Sequence, residues 1–166
     1  MYETNYHRAS SVADAVKLLK KGDDAKVLSG GMTLIPTMKQ RLASPSDLVD
    51  ITKIKELAGI KVSGKTVTIG AATTHYDVAT NEKLAKACPA LCGLASHIGD
   101  PHVRYRGTIG GSISNNDPAA DYPSAALALN ATIVTNKREI KADDYFQGLF
   151  TTALEAGEMI VKVVFP

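Results

Sequence analysis

Cysteine is scarce in this chain of 166 residues: only Cys88 and Cys92 occur. An iron–sulfur cluster usually takes about four cysteine ligands, so this chain holds none unaided. The histidines, at positions 7, 75, 97 and 102, show no ligand spacing. No charge sign dominates either, with 19 basic and 17 acidic residues interspersed to a net charge of +2. Nucleic-acid binding needs clustered phosphate-neutralising charge and is excluded as a role. No apolar run approaches the ~20 residues that span a bilayer. Residues Met1 to Arg8 are polar and aromatic, unlike an export signal, so the expected compartment is the cytoplasm. There, Cys88 and Cys92 read as reduced packing residues four apart on one helix face, with Pro89 at the helix start. Phosphate fingerprints of the ATPase type and the Rossmann G-x-G-x-x-G are missing. So are nucleophile–base triads and carboxylate pairs fixed by spacing. Any hard chemistry would then belong to a cofactor.

What is present is a pair of short glycine segments. One is Ser29-Gly30-Gly31-Met32-Thr33; the other is Thr108-Ile109-Gly110-Gly111-Ser112. Glycine admits positive φ and close backbone approach, and successive N–H groups can form a concave anion nest. Either pair alone also reads as a simple turn. Two with matching flanks point to one ligand whose pyrophosphate lies between two loops. The hydroxyls of Thr33, Thr108 and Ser112 are candidate phosphate donors.

The intervening pattern is α+β. Ser11 and Asp14 form a weak capping box before a helix with Val12, Ala15, Val16 and Leu19 on one face, closed by Lys20, Lys21 and Gly22. A strand at Lys26 to Ser29 leads into the first glycine pair. A helix over Leu34 to Leu42 would direct its positive end at that loop, and a strand at Asp47 to Ile51 completes a β-α-β-like unit. Ile60 to Val62 and Val67 to Ile69 read as a hairpin around Gly64. Helices are expected at Asp77–Lys86, Pro89–Ile98 and Ala119–Asn130, with Gly99-Asp100-Pro101 as a stop. Strands are expected at Ala131–Thr135, Arg138–Lys141 and Glu158–Phe165. The boundary between two subdomains is placed near Leu57 to Gly59, giving units 1–57 and 58–166.

The run Leu28-Ser29-Gly30-Gly31-Met32-Thr33-Leu34 through Lys39 resembles the first flavin motif of the FAD subunits of molybdenum hydroxylases. Arg104 to Ser112, followed by Asp117-Pro118-Ala119-Ala120-Asp121, resembles their second. The likeness runs from Met1 to Pro166 and extends to the medium subunit of carbon monoxide dehydrogenase and the flavin domain of xanthine dehydrogenase. It implies a two-subdomain, PCMH-type FAD-binding fold whose cofactor lies along Leu28 to Leu34, Thr108 to Ser112 (Ile109, Gly110 and Gly111 included), Thr74, Asp121 and Ile160. Asp121 would meet a cofactor hydroxyl, although it also reads as a helix N-terminal residue. Thr74 would reach a phosphate or ring atom, or else cap a helix. Ile160 would pack near the isoalloxazine or adenine, or simply sit in a strand core. Asn115 and Asn116 depart from the family pattern, and His97 reads as a surface histidine. The resemblance implies electron transfer from an iron–sulfur small subunit, itself fed by a molybdenum-containing large subunit, to an external acceptor. It also implies that the family's C-terminal domain has no counterpart in these residues. A UDP-sugar-type flavin reductase and a non-catalytic flavin-binding assembly module are the alternatives.

Overall fold

Residues 1–166 are all described by the computed structural model. The first strand, β1 (Asn5–Arg8), leads to a serine cap. Ser11 is extended at φ −153°, and its hydroxyl accepts the Asp14 N–H at 3.1 Å to start α1 (Val12–Lys21). The Asp14 carboxylate accepts instead from the Ser10 N–H at 2.9 Å, one residue outside a regular capping box. The chain continues through β2 (Ala25–Leu28), α2 (Leu34–Lys39) and β3 (Asp47–Asp50). β3 lies between β1 and β2 and pairs in parallel with both. Polar Asn5-Tyr6-His7-Arg8 carries no apolar alternation, which is why β1 had no signal in the sequence. α2 stops at Lys39, short of Leu42, because Arg41 turns into the left-handed region at φ 62°.

Beyond a 3-10 turn at Lys55–Leu57, β4 (Ile60–Ser63) and β5 (Thr66–Gly70) form the expected hairpin. Helices α3 (His75–Thr80), α4 (Glu82–Ala87), α5 (Pro89–Ser96), α6 (Pro101–Arg106), α7 (Ile109–Asn115) and α8 (Asp121–Ala128) follow. The single helix expected over Asp77–Lys86 is thus two. Asn81 ends α3, and its Oδ1 accepts the Leu84 N–H at 2.8 Å to start α4. Gly99-Asp100-Pro101 ends one helix and begins another. Asp100 Oδ1 accepts from the His102 N–H at 2.7 Å, with Pro101 in the first turn of α6. The last part holds β6 (Thr132–Thr135), β7 (Glu139–Lys141), α9 (Ala142–Tyr145), β8 (Phe146–Gly148), β9 (Thr151–Thr152) and β10 (Ile160–Phe165). Of these, α9 and the β8–β9 pair were not foreseen. β4, β5, β10, β6 and β7 form one antiparallel sheet in that order.

Two apolar clusters support this frame. The larger packs Ile69, Leu84, Leu91, Ile109, Ile113 and Ile133 between the five-stranded sheet and the helices. Each such side chain contributes roughly 1.5–3 kcal/mol on burial. The smaller gathers Ala15, Val49, Ile51, Ile54 and Leu57 around the parallel sheet and is completed by Met159, with Ala72 and Val161 packed on it. Late and early parts of the chain therefore share that core, and the cleft described next is lined from both. No helix is long and apolar enough to cross a membrane.

Candidate functional site

A cleft of about 730 Å³ is lined mainly by three stretches, Ala25–Leu34, Thr108–Tyr122 in part and Leu154–Ile160, with single residues such as Ala71, His75 and Gly107 between them. That volume lies within the roughly 300–1,000 Å³ typical of small-molecule sites. The first glycine segment forms one wall. Gly31 adopts φ +72°, and Thr33, two residues on, is right-handed at φ −107°, ψ −50°. None of the backbone N–H groups from Ser29 to Thr33 donates to another group of the chain. A run of donors without partners is costly unless water or a ligand accepts from them. These unpartnered donors are what a nest at this segment would offer.

The second glycine segment differs from expectation. It is the first turn of α7 rather than a loop, and the N–H groups of Ile109 to Ser112 are already used. The Ile109 N–H donates to Thr73 O at 3.2 Å and the Gly110 N–H to Ala71 O at 2.9 Å. The Gly111 N–H donates to the N-cap hydroxyl of Thr108 at 3.2 Å. A second run of free backbone donors is therefore absent: the segment after β5 takes two of them and Thr108 takes the next two. Thr108 also donates from Oγ1 to Ser29 Oγ at 3.1 Å and ties the two glycine segments together directly. Gly30 completes that junction. A Cβ there would overlap the Arg106 carbonyl oxygen and lie 2.8 Å from Gly107 Cα, so only glycine lets the backbones meet.

Thirteen of the fifteen residues expected at the cofactor line this cleft: Leu28 to Leu34, Thr108, Gly110, Gly111, Ser112, Asp121 and Ile160. Two do not. Ile109 is fully buried in the larger core. Thr74 is the N-cap of α3, accepting the Asp77 N–H at 3.1 Å and donating to Asp77 Oδ2 at 2.7 Å, so its hydroxyl is spent locally. Asp121 is the first residue of α8, whose cap position is Ala120, and its carboxylate is exposed on the cleft. Capping does not explain it. Thr33, likewise, sits at the cap position of α2 without making a capping bond.

Several further residues shape the site, among them Asn116 and Asn115, which depart from the family pattern, and Glu158, His75 and Tyr122, which carry no sequence signal. Asn116 is buried and left-handed at φ 45°; its Nδ2 donates to Gly148 O and Thr151 O, each at 2.8 Å, holding the β8–β9 turn against the end of α7. Asn115 lines the cleft beside it. Glu158 accepts from Thr135, Arg138 and the Glu155 N–H. Burial raises its pKa, and these bonds more than offset that, bringing it from 4.5 down to about 2. His75 and Tyr122 are both buried, line the cleft and stack with ring centroids 5.2 Å apart. Burial lowers His75 to about 4 and pushes the Tyr122 phenol upward. Both are neutral near pH 7. Lys26 is the one Lys or Arg among the lining residues, against Asp117, Asp121, Glu155 and Glu158. No group of three or more His, Cys, Asp or Glu side chains is placed to hold a metal ion.

These residues fit a dinucleotide cofactor: a nest for a pyrophosphate, a carboxylate for a sugar hydroxyl, and apolar walls for rings. Comparison with known proteins points the same way. The chain is 44% identical over 167 residues to the carbon monoxide dehydrogenase medium chain of Afipia carboxidovorans, covering 98% of this chain and 58% of that one. It is 41% identical to the glyceraldehyde dehydrogenase medium chain of Sulfolobus acidocaldarius, covering 99% of this chain and 60% of the relative. It spans, then, about three-fifths of the length of these relatives. The structure of carbon monoxide dehydrogenase from Hydrogenophaga pseudoflava superposes with a TM-score of 0.96 at 42% identity, over 99% of this chain and 59% of that one. A UDP-N-acetylenolpyruvylglucosamine reductase from Thermus caldophilus shares the fold alone, at TM-score 0.57 and 13% identity. Over residues 2–166 the sequence matches the model of the FAD binding domain in molybdopterin dehydrogenase, and the chain belongs to that family, with FAD as its cofactor.

Proposed function

We propose that this chain is the flavin-binding, electron-transferring part of a molybdenum hydroxylase. In this reading FAD lies in the cleft with its pyrophosphate on the free N–H groups of Ser29 to Thr33. Thr33, Thr108 and Ser112 supply hydroxyls around it, Asp121 accepts from a sugar hydroxyl, and Ile160 packs against a ring. Bound flavin supplies the capacity to take up and release electrons. The protein's own work is to bind it, orient it and exclude water from it. The partners are an iron–sulfur small subunit and a molybdenum-containing large subunit, and electrons leave to an external acceptor.

The observation that carries the reading is the unpaired run of N–H groups on the wall of a cleft that also holds Asp121. Neutral dipoles of this kind hold an anion without a cationic side chain. The test is direct. Purified chain titrated with FAD should develop a perturbed flavin spectrum with saturation near one equivalent, and heat should release intact FAD. FMN, with one phosphate and no adenylate, should bind far more weakly. Equal affinity for the two, or no uptake of FAD, refutes the assignment. Reduction of the bound flavin by a reduced iron–sulfur partner would separate an electron-transfer unit from a non-catalytic assembly module.

A further inference from the structure

His75 is only 5% exposed and lines the cleft, yet neither of its ring nitrogens has a hydrogen-bond partner in the chain; Nδ1 is sealed from solvent, whereas Nε2 is not. A hydrogen on Nδ1 would be a buried donor without an acceptor, the costlier of the two orphan states. The neutral ring therefore carries its hydrogen on Nε2. Tyr122 covers one face of the ring, 1% exposed and 28° from parallel.

Nε2 lies against the backbone of the second glycine-bearing segment. A Cβ built on Gly107 would lie 2.6 Å from it, so the ring presses on the Gly107 backbone. A Cβ built on Gly30, in the middle of the free N–H run, would in turn lie 2.8 Å from Gly107 Cα. Gly30, Gly107 and His75 all line the cleft. The His75 N–H to Gly107 O bond, 2.9 Å, and the capping of α3 by Thr74 fix the His75 backbone, and the stack on Tyr122 covers its ring.

We propose that His75 binds the cofactor, its neutral Nε2–H donating a hydrogen bond to a pyrophosphate oxygen beside the Ser29–Thr33 nest. This rests on the FAD assignment above. It gives the nest a side-chain donor where the cleft offers no arginine, and it gives the unpartnered Nε2 an acceptor.

The experiment compares the unaltered chain with His75→Phe, His75→Gln and His75→Asn, measuring urea midpoints without flavin and affinities for FAD and for riboflavin, which lacks phosphate. Phe keeps the stack on Tyr122 and removes both nitrogens. Its flavin-free midpoint should be unchanged or higher at neutral pH, while FAD affinity falls about tenfold or more, as expected for a bond to a charged acceptor. Gln, which places an N–H near the Nε2 position, should restore most of the affinity. Asn places it near Nδ1 and should not, which keeps the test decisive if the Phe variant fails to fold. Riboflavin affinity should be the same throughout. Unchanged FAD affinity in the Phe or Asn variant overturns the proposal. So does a parallel loss of riboflavin affinity, which would move the contact to the ring or ribityl chain. Failure of the unaltered chain itself to take up FAD overturns the FAD assignment, a result distinct from any difference among variants.

Discussion

Replacing Glu158 by glutamine should cost this protein about 3 kcal/mol at neutral pH and almost nothing near pH 2. The side chain has no exposed surface. One carboxylate oxygen accepts from Thr135 Oγ1 at 2.7 Å and Arg138 Nε at 3.1 Å; the other accepts from Arg138 Nη2 at 3.1 Å and the Glu155 N–H at 2.9 Å. Burial favours the protonated acid, but the four donors win and bring the pKa from 4.5 to about 2. At about 1.36 kcal/mol per unit, that difference is worth about 3 kcal/mol, an upper figure because Arg138 is partly in solvent. The folded pKa lies below the unfolded one, so the contribution is complete above pH 4.5 and disappears as pH falls toward 2. Glutamine keeps the shape and removes the charge. Its melting point at pH 7 should drop by about 6–12 °C, taking ~2–4 °C per kcal/mol for a chain of this size. Urea unfolding followed by circular dichroism from pH 2 to 7 measures the gap. A difference that stays constant across that range would show that packing, rather than the ionised carboxylate, holds the Leu154–Ile160 wall.

His75 predicts a separate acid window. Its folded pKa of about 4 lies below the ordinary 6.5, so the unfolded chain takes up a proton first and stability falls as pH drops from 6.5 to 4. That loss, about 3 kcal/mol at most, should vanish in the His75→Phe variant, as read from flavin-free urea midpoints; an unchanged slope in the variant refutes it. Gly30→Ala should destabilise the chain by about 1–3 kcal/mol, since its Cβ meets fixed backbone, and should abolish FAD uptake. By contrast, Gly111→Ala, whose Cβ would meet only Thr108 Oγ1 at 3.1 Å, should melt within a few degrees of the unaltered chain. Equal melting of the two variants would refute the close-approach argument. Asp121→Ala should weaken FAD binding by roughly 1.5–3 kcal/mol while lowering flavin-free stability by less than about 1 kcal/mol, the scale of a first-turn carboxylate on a helix dipole. The reverse pattern would assign Asp121 to the helix alone.

Sequence made the first half of the site legible because that half is local. The residues of Ser29-Gly30-Gly31-Met32-Thr33 carry their own turn signal, since Gly31 takes the positive φ that glycine admits. Capped helices such as α1 and the β4–β5 hairpin were readable for the same reason. The second glycine pair was misread because its role is set at a distance. Gly110 donates to Ala71 O, 39 residues earlier, and that strand-end carbonyl turns a candidate anion loop into a helix start. A local signal did exist: Thr108, three residues before Gly111, occupies an N-cap spacing, just as Asp100-Pro101 announces α6. The His75–Tyr122 pair left no trace in the sequence, being 47 positions apart and defined by missing partners rather than by pattern.

Charge shows the same division. The balanced composition argued against a polyanion partner, and in the cleft the imbalance is opposite to what a phosphate ligand would suggest: one lysine faces four carboxylates. An anion held there must be met by N–H and O–H dipoles whose placement depends on the Gly30–Gly107 junction and the Thr108–Ser29 bond. Dipoles fixed by backbone need no counter-ion and lose little strength to added salt, whereas a lysine cluster would. Two glycine segments 79 residues apart are thus more than duplicate phosphate loops. One presents the donors, and the other, anchored through α7, holds the first in the geometry that keeps those donors free.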